Sequence, residues 1–503
     1  SAGEAQLSAD SVRARLAALG YRDPRGALRH IESLTTGVSR RAAMQRHLLP
    51  VMLGWLAEGA DPDTGLVAFR RLSENLGSSS WFLRMLRDSD AAARRLCRVL
   101  STSRFIGDQL EHTPEAAAWF GDDKQLSPID AAALWRQLGA RLARHSDDET
   151  AAQVIRHVRQ VRRREVLRIA VADALGRLDQ SQASLALADI DAVAVVGALQ
   201  TCLRVLEAEE QLLTDVAVIA MGRQGGREIT YGSDMDVMYV HRPRPGVDED
   251  AAQRQAVRIA QQVAGLLRRP ASPPLPGERT LEMDADLRPE GRQGPLARTL
   301  ESYREYYERW AEVWERQAMT RARVIAGDPD LAETTREWID SVRYRGDLTD
   351  AQLREIRRIK ARVESERLPR GADPARHVKL GRGGLSDVEW LVQTLQLRHA
   401  HRVEALRTTQ TLPALCALAE HELLPAEDAR ALEAAWLLAT RVRAVSFLWT
   451  GKTSDVLPAK ATDLAVLALW CLGPDAAGTE FEQHYLRVSR HARQVFEKHF
   501  YGL

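Results

Sequence analysis

Apolar residues recur at helical spacing through most of this chain, and that pattern predicts helices over residues 1 to about 120. Alanine, leucine and arginine dominate there, and all three favour helix. Turn-prone segments such as DPDTG (61–65) and GDDKQLSP (121–128) divide the pattern. A second helical region is predicted from Ile129 to about Glu210. Its most apolar stretch, Leu185 to Leu206, contains Asp189 and Asp191, which predicts a buried helix rather than a membrane span.

The texture then changes. Val216 to Met221 is a continuous apolar run, the pattern of a strand buried on both faces. A glycine-bearing segment, GRQGGREITYG, leads to SDMDVMYVH, which again reads as strand. A helix is predicted over 249–269, and the prolines of RPASPPLPGE end it because they lack an amide donor. Thr280 to Leu287 alternates strictly, with Glu282, Asp284 and Asp286 on one face. Tyr303, Tyr306, Tyr307, Trp310 and Trp314 follow at helical spacing and predict a packing stripe. LPRGADPAR (368–376) reads as an interdomain connection, and 387–503 as a helical bundle. The expected fold is mainly α with a small mixed β-sheet. Its expected division is a helical domain over 1–122, a catalytic domain over 123–345 and a C-terminal helical bundle over 346–503.

A length of 503 residues fits two or three domains. The net charge of +1 supplies no broad basic surface, which disfavours nucleic acid as a partner. Four dispersed cysteines, with no C-x-x-C pair, disfavour a disulfide framework and a zinc site and suit a reducing cytoplasm. The histidines show no metal-ligand spacing, and no G-K-[ST] follows GRQGGRE to make a P-loop. The start, SAGEAQLSAD, lacks a secretory pattern, so cytoplasmic localisation without membrane attachment is the expectation.

Asp234 and Asp236 stand two apart on a predicted strand and share a face. Carboxylates that close repel unless a cation neutralises them, and magnesium binds through a few carboxylates plus substrate phosphates. Gly225-Gly226 would let backbone amides approach an anion, and a helix starting there would direct its positive end at a phosphate. Ser233 offers a hydroxyl to a phosphate oxygen. A third acid on a neighbouring strand would complete a two-metal site, and spacing alone leaves Glu282, Asp284 and Asp286 all open. Arg321 and Arg323 are candidates to hold phosphate, with a surface ion pair as the plain alternative. Ser386-x-x-Glu389 reads as a capping box. An isolated D-x-D usually marks a turn; the buried strand, Gly-Gly segment, S-D-x-D strand and acidic strand together point to a nucleotidyltransferase.

MGRQGGREITYGSDMDVMYV resembles the signature of the glutamine synthetase adenylyltransferase/adenylyl-removing family. FIGDQLEHTPEAAAWF, LRIAVADALG, EMDADLRPEGRQG, WERQAMTRARVIAGDP and HVKLGRGGLSDVEWLVQ resemble further family segments, in the family's order. The resemblance implies a DNA-polymerase-β-like nucleotidyltransferase domain flanked by helical domains. It implies that Asp234 and Asp236 bind Mg2+ or Mn2+, and that Asp284 is the third acid. Asp286 departs from the family, which usually has arginine there, leaving an accessory metal contact or a pairing with a base such as Arg288. Lys379, Asp387 and Glu389 are implied to orient the nucleotide or link domains. ITYGSD, and an ending in HARQVFEKHFYGL, are closer to the transferring half of this two-part family, so a fragment of a longer polypeptide is implied. The implied reaction moves AMP from ATP to a tyrosine of glutamine synthetase, releases pyrophosphate and lowers that enzyme's activity in nitrogen regulation. A PII-type signal protein and glutamine are implied as effectors. The alternatives are the removing half, which releases ADP by phosphorolysis, and a non-catalytic nucleotide-sensing docking module.

Overall fold

The computed structural model describes residues 9–77, 79–143, 150–346 and 348–502. Helices dominate, and one five-stranded mixed sheet lies between them. Its strands are β1 (Thr214–Ala220), β2 (Met235–Pro243), β3 (Met283–Asp284), β4 (Ala297–Thr299) and β5 (Arg323–Gly327). The order is β3-β2-β1-β5, with β4 also pairing β2. β1 runs antiparallel to β2 and β5, while β2 runs parallel to β3 and β4.

The continuous apolar run of β1 is explained by cover on both faces. Val216 and Val218 join a core shared with the helices Gln180–Glu209 and Glu249–Arg268. Ala217 and Ile219 point the other way, into a core with Tyr303, Tyr307 and Trp338. Tyr303 and Tyr307 therefore do form a packing stripe, but Trp310 is 71% exposed and lies outside it. The long apolar helix Gln180–Glu209 passes a length-and-composition test for crossing a membrane, yet 72% of its most apolar window is buried inside the protein. Asp191 survives there because Arg162 reaches it at 2.6 Å.

Two predicted features take a different form. DPDTG is a helix start: Asp61 caps the helix Pro62–Asn75, with Pro62 in the first turn. The apolar core is continuous across residue 122, because Leu100, Ile106 and Phe120 pack in the same cluster as Val195 and Val218. The alternating segment 280–287 is strand only at Met283–Asp284; the Asp286 amide then bonds Asp284 Oδ1 at 2.8 Å and the Arg288 amide bonds Ala285 O at 3.2 Å, which turns the chain. The C-terminal helices, including Ala426–Thr450 and Gly478–Phe496, build a second core of their own. Ser103 ties the N-terminal helices to this region, capping Arg104–His112 while its hydroxyl donates to Leu448 O at 2.7 Å. Of the four thiols, Cys97 and Cys202 are buried, Cys471 is half-buried and Cys416 is exposed.

Candidate active site

Asp236 is the second residue of β2, and the parallel register sets it directly opposite Asp284 of β3. Residues on one rung of neighbouring strands present their side chains to the same face. Of the three acids that spacing left open, Asp284 is thus the one paired with Asp236. Glu282 lines a neighbouring cavity with Arg162 and Arg279, which Ser233 and Asp234 also border. Asp286 is held by Arg292 at 2.7 Å, with Arg288 farther away at 3.8 Å. Asp234 is exposed and sits just ahead of β2. Burial, Asp284 and Asp234 raise the Asp236 carboxyl above the usual carboxylate range, partly opposed by Lys379 and Arg223. The three acids are neighbours, but among the described residues no three potential ligands are drawn to metal-binding spacing.

The turn between β1 and β2 fixes this arrangement. The Met221 amide donates to Asp236 O at 2.8 Å, and Gly222 then adopts φ +54°, which favours glycine. The helix that follows is only Gly222–Gly225. Gly225 and Gly226 lie at its end rather than at a helix start, so they aim no helix N-terminus at a phosphate. Gly225 serves packing: a side chain there would overlap the carbonyl oxygen of Arg321.

A cavity of about 440 Å3 opens beside Asp234 and Asp236, with Arg223, Lys379 and Arg443 on its walls. Arg223 donates to Glu389 at 3.0 Å and Arg443 to Asp455 at 2.6 Å, so each of these arginines already has a counter-charge. Lys379 makes no ion pair among the described residues; burial and the neighbouring Arg223 lower its pKa. Ser233 also lines this cavity, its hydroxyl accepting from the Thr230 amide at 3.2 Å. Asp236 also lines a second cavity of about 760 Å3, together with Asp284, Trp314 and Trp390.

The two TRAR arginines separate. Arg321 borders the cavity of about 440 Å3 but is committed to Thr409 O and, at 2.7 Å, to Thr411 Oγ1. Arg323 lies outside the cavity lining and donates to the carbonyls of Gln224 and Gly225, both at 3.2 Å. Burial lowers its pKa to about 10. It satisfies the end of the Gly222–Gly225 turn instead of facing phosphate.

Ser386 and Glu389 do not form a capping box. The helix Leu385–His399 has Gly384 at its N-cap and no side-chain cap bond. Glu389 reaches Arg223 and so joins the C-terminal region to the sheet domain. Asp387 is buried away from the cavity, bonded by Lys360 at 2.6 Å and by the Gly383 amide at 2.7 Å. Arg443 and Asp455 went unrecognised in the sequence, since no local pattern ties them to residues 234–236. Arg223 lay inside the signature segment and could have been found there.

A family model described as glutamate-ammonia ligase adenylyltransferase matches residues 93–337. A second, described as GlnD PII-uridylyltransferase, matches residues 356–500. The chain is 49% identical to a bifunctional glutamine synthetase adenylyltransferase/adenylyl-removing enzyme of Leifsonia xyli, over 99% of this chain and 48% of that protein. Proteins of the same description from Streptomyces avermitilis and Nocardia farcinica are each 47% identical, over 99% and 98% of this chain and 51% and 49% of theirs. The chain therefore spans about half the length of these curated relatives. Ordered matches along nearly all of its residues make this chain a member of the glutamine synthetase adenylyltransferase/adenylyl-removing family.

Proposed function

We propose that this chain transfers AMP from ATP to a tyrosine hydroxyl of glutamine synthetase. The observation that carries the reading is the Asp236–Asp284 rung, whose Asp236 lines both a cavity with Lys379, which has no ion pair among the described residues, and a cavity with two tryptophans and Asp284. A triphosphate suits the first, because Lys379, with no ion-pair partner among the described residues, complements its charge. An aromatic acceptor suits the second.

Asp234, Asp236 and Asp284 are the groups that would hold Mg2+ or Mn2+. Their chemistry fits a divalent cation: oxygen donors, mutual repulsion and too little counter-charge. Asp234 and Asp284 are exposed, so burial does not oppose the side-chain rotation that ligation needs. When bound, such cations would supply charge neutralisation for the transferring phosphoryl group. Lys379 and Arg223 hold the phosphates, and the protein's largest contribution is position and preorganised charge. The tyrosine oxygen forms a bond to the α-phosphorus while the bond to the β-phosphate oxygen breaks. Pyrophosphate leaves on the Lys379 side. The phenol proton departs on the acceptor side, where Asp284 is an exposed carboxylate.

The relatives' bifunctional name supports a second reading, in which phosphate attacks AMP-tyrosine and ADP leaves. Mass spectrometry separates the two. Unmodified glutamine synthetase incubated with this chain, ATP and magnesium gains one AMP mass under the first reading. Modified enzyme incubated with phosphate loses it under the second. Neither change, with ATP bound, would leave only a nucleotide-sensing module.

A further inference from the structure

A cavity of about 1150 Å3, lined by none of Asp234, Asp236 and Asp284, lies where the N-terminal helices, the end of the helix Ala151–Ala174 and the C-terminal helices meet. Five arginines line it: Arg94, Arg95, Arg98, Arg177 and Arg441. Arg94, Arg95 and Arg98 all come from the helix Asp90–Thr102, with Arg98 one turn from each of the other two. Like charges at that spacing repel and favour a counter-ion. Their counter-charges are too few. Glu58 takes Arg94, Asp173 takes Arg441, and the single carboxylate of Asp123 serves both Arg95 and Arg177. Arg98 has no ion pair or side-chain hydrogen bond among the described residues. Among the lining groups and their ion-pair partners, five guanidiniums thus face three carboxylates. Trp470, also on the wall, has a buried indole N–H with no partner.

We infer that this cavity binds a small dianion, a phosphate monoester or a dicarboxylate, and that occupancy is felt at the catalytic carboxylates. The route is short. Arg441 pairs with Asp173, whose side chain is fully buried. Asp173 accepts a hydrogen bond from Tyr231 at 2.9 Å. Tyr231 stacks on Phe447 and stands three residues before Asp234. A dianion that competes for Arg441 weakens its hold on Asp173 and so alters the anchor of the Tyr231–Asp234 segment. This gives the two cavities a shared element that both ligands bias, which is what coupling between sites requires.

Isothermal titration of the whole chain tests the site, with inorganic phosphate and succinate as separate probes at fixed ionic strength. At least one probe binds saturably to the wild type, and Arg98→Glu and Arg177→Glu each weaken it by about tenfold or more. Phosphate alone binding marks a phosphoryl ligand, and succinate alone a dicarboxylate. Absence of saturable binding overturns the inference. So does binding that both variants leave unchanged, which would place phosphate in the Lys379 cavity. The coupling has its own readout, ATP affinity with and without the bound probe. The probe shifts that affinity in the wild type and shifts it less in Tyr231→Phe, which keeps the ring and loses the hydroxyl. An unshifted ATP affinity, or an equal shift in Tyr231→Phe, overturns the coupling. The titration itself does not depend on the transferase reading, so the two can fail separately.

Discussion

Gly222 has no side chain because Asp236 occupies the space one would fill: a Cβ on Gly222 would lie 2.7 Å from Asp236 Oδ2. Its φ of +54° adds a second obstacle, since a left-handed backbone costs other residues about 1–2 kcal/mol. Gly222→Ala should therefore lower stability by about that amount and push the carboxylate from its place. A displacement near 1 Å at a reacting centre can cost about a hundredfold in rate. Melting temperature and AMP transfer, measured together, check this. Transfer at the wild-type rate would show that the Gly222–Asp236 contact is not needed.

Asp236→Asn should abolish transfer and yet stabilise the metal-free protein at neutral pH. Burial and Asp284 raise this carboxyl in the folded state, so the native form binds its proton more readily than the unfolded chain does. Stability from this group is therefore highest at low pH and falls as pH climbs from the unfolded carboxylate pKa through the raised folded one. Asparagine removes that loss. Thermal melts from pH 4 to 8 without divalent cations should show the wild type falling relative to the variant. A folded Asp236→Asn protein that labels glutamine synthetase normally would exclude Asp236 from the chemistry.

Lys360→Met should unfold the C-terminal bundle first. The Lys360 ammonium and the Asp387 carboxylate are each 1% exposed and 2.6 Å apart, with Arg493 at 3.1 Å from the same carboxylate. Removing one partner of a buried pair costs about 3–5 kcal/mol, because a charge stays buried with less to balance it. Hydrogen exchange should show lost protection in Asp350–Glu366 and Leu385–His399 before the sheet. Unchanged protection in those helices would contradict this account.

Much of the frame around the site is legible in sequence because it depends on local pattern. The apolar run 216–221 gives β1, and the helix predicted over 249–269 is Glu249–Arg268. Asp284 is different. Alternation puts it on a face with Glu282 and Asp286, and only the register with β2 separates them. The predicted strand also ran too far, since a carboxylate-to-amide bond at Asp286 competes with sheet pairing. Arg443 and Asp455 reach the cavity from the far end of the chain, and their convergence is a property of tertiary packing. Arg323 shows the reverse error: its residue type suits phosphate, but its strand position directs it to backbone carbonyls.

Lys379 offers a pH-dependent test of which group meets the triphosphate. Burial, then Arg223, lowers its pKa, so its ammonium discharges at lower pH than an ordinary lysine does. In the free protein the unfolded chain holds this proton more tightly. Raising pH between the lowered folded pKa and the unfolded one therefore favours the fold. Binding of ATP has the opposite slope, because the charge that attracts phosphate is lost as pH rises. KM for ATP should increase on the alkaline limb while kcat changes less, as expected for a group that binds ground state and transition state alike. Lys379→Arg should flatten that limb, since guanidinium stays charged. Lys379→Met should raise KM below the alkaline limb, by about tenfold or more if the ion pair with phosphate contributes about 1.4 kcal/mol or more, and the two proteins should converge above it. An alkaline limb that persists unchanged in Lys379→Arg would assign it to another group and leave Lys379 without a part in holding ATP.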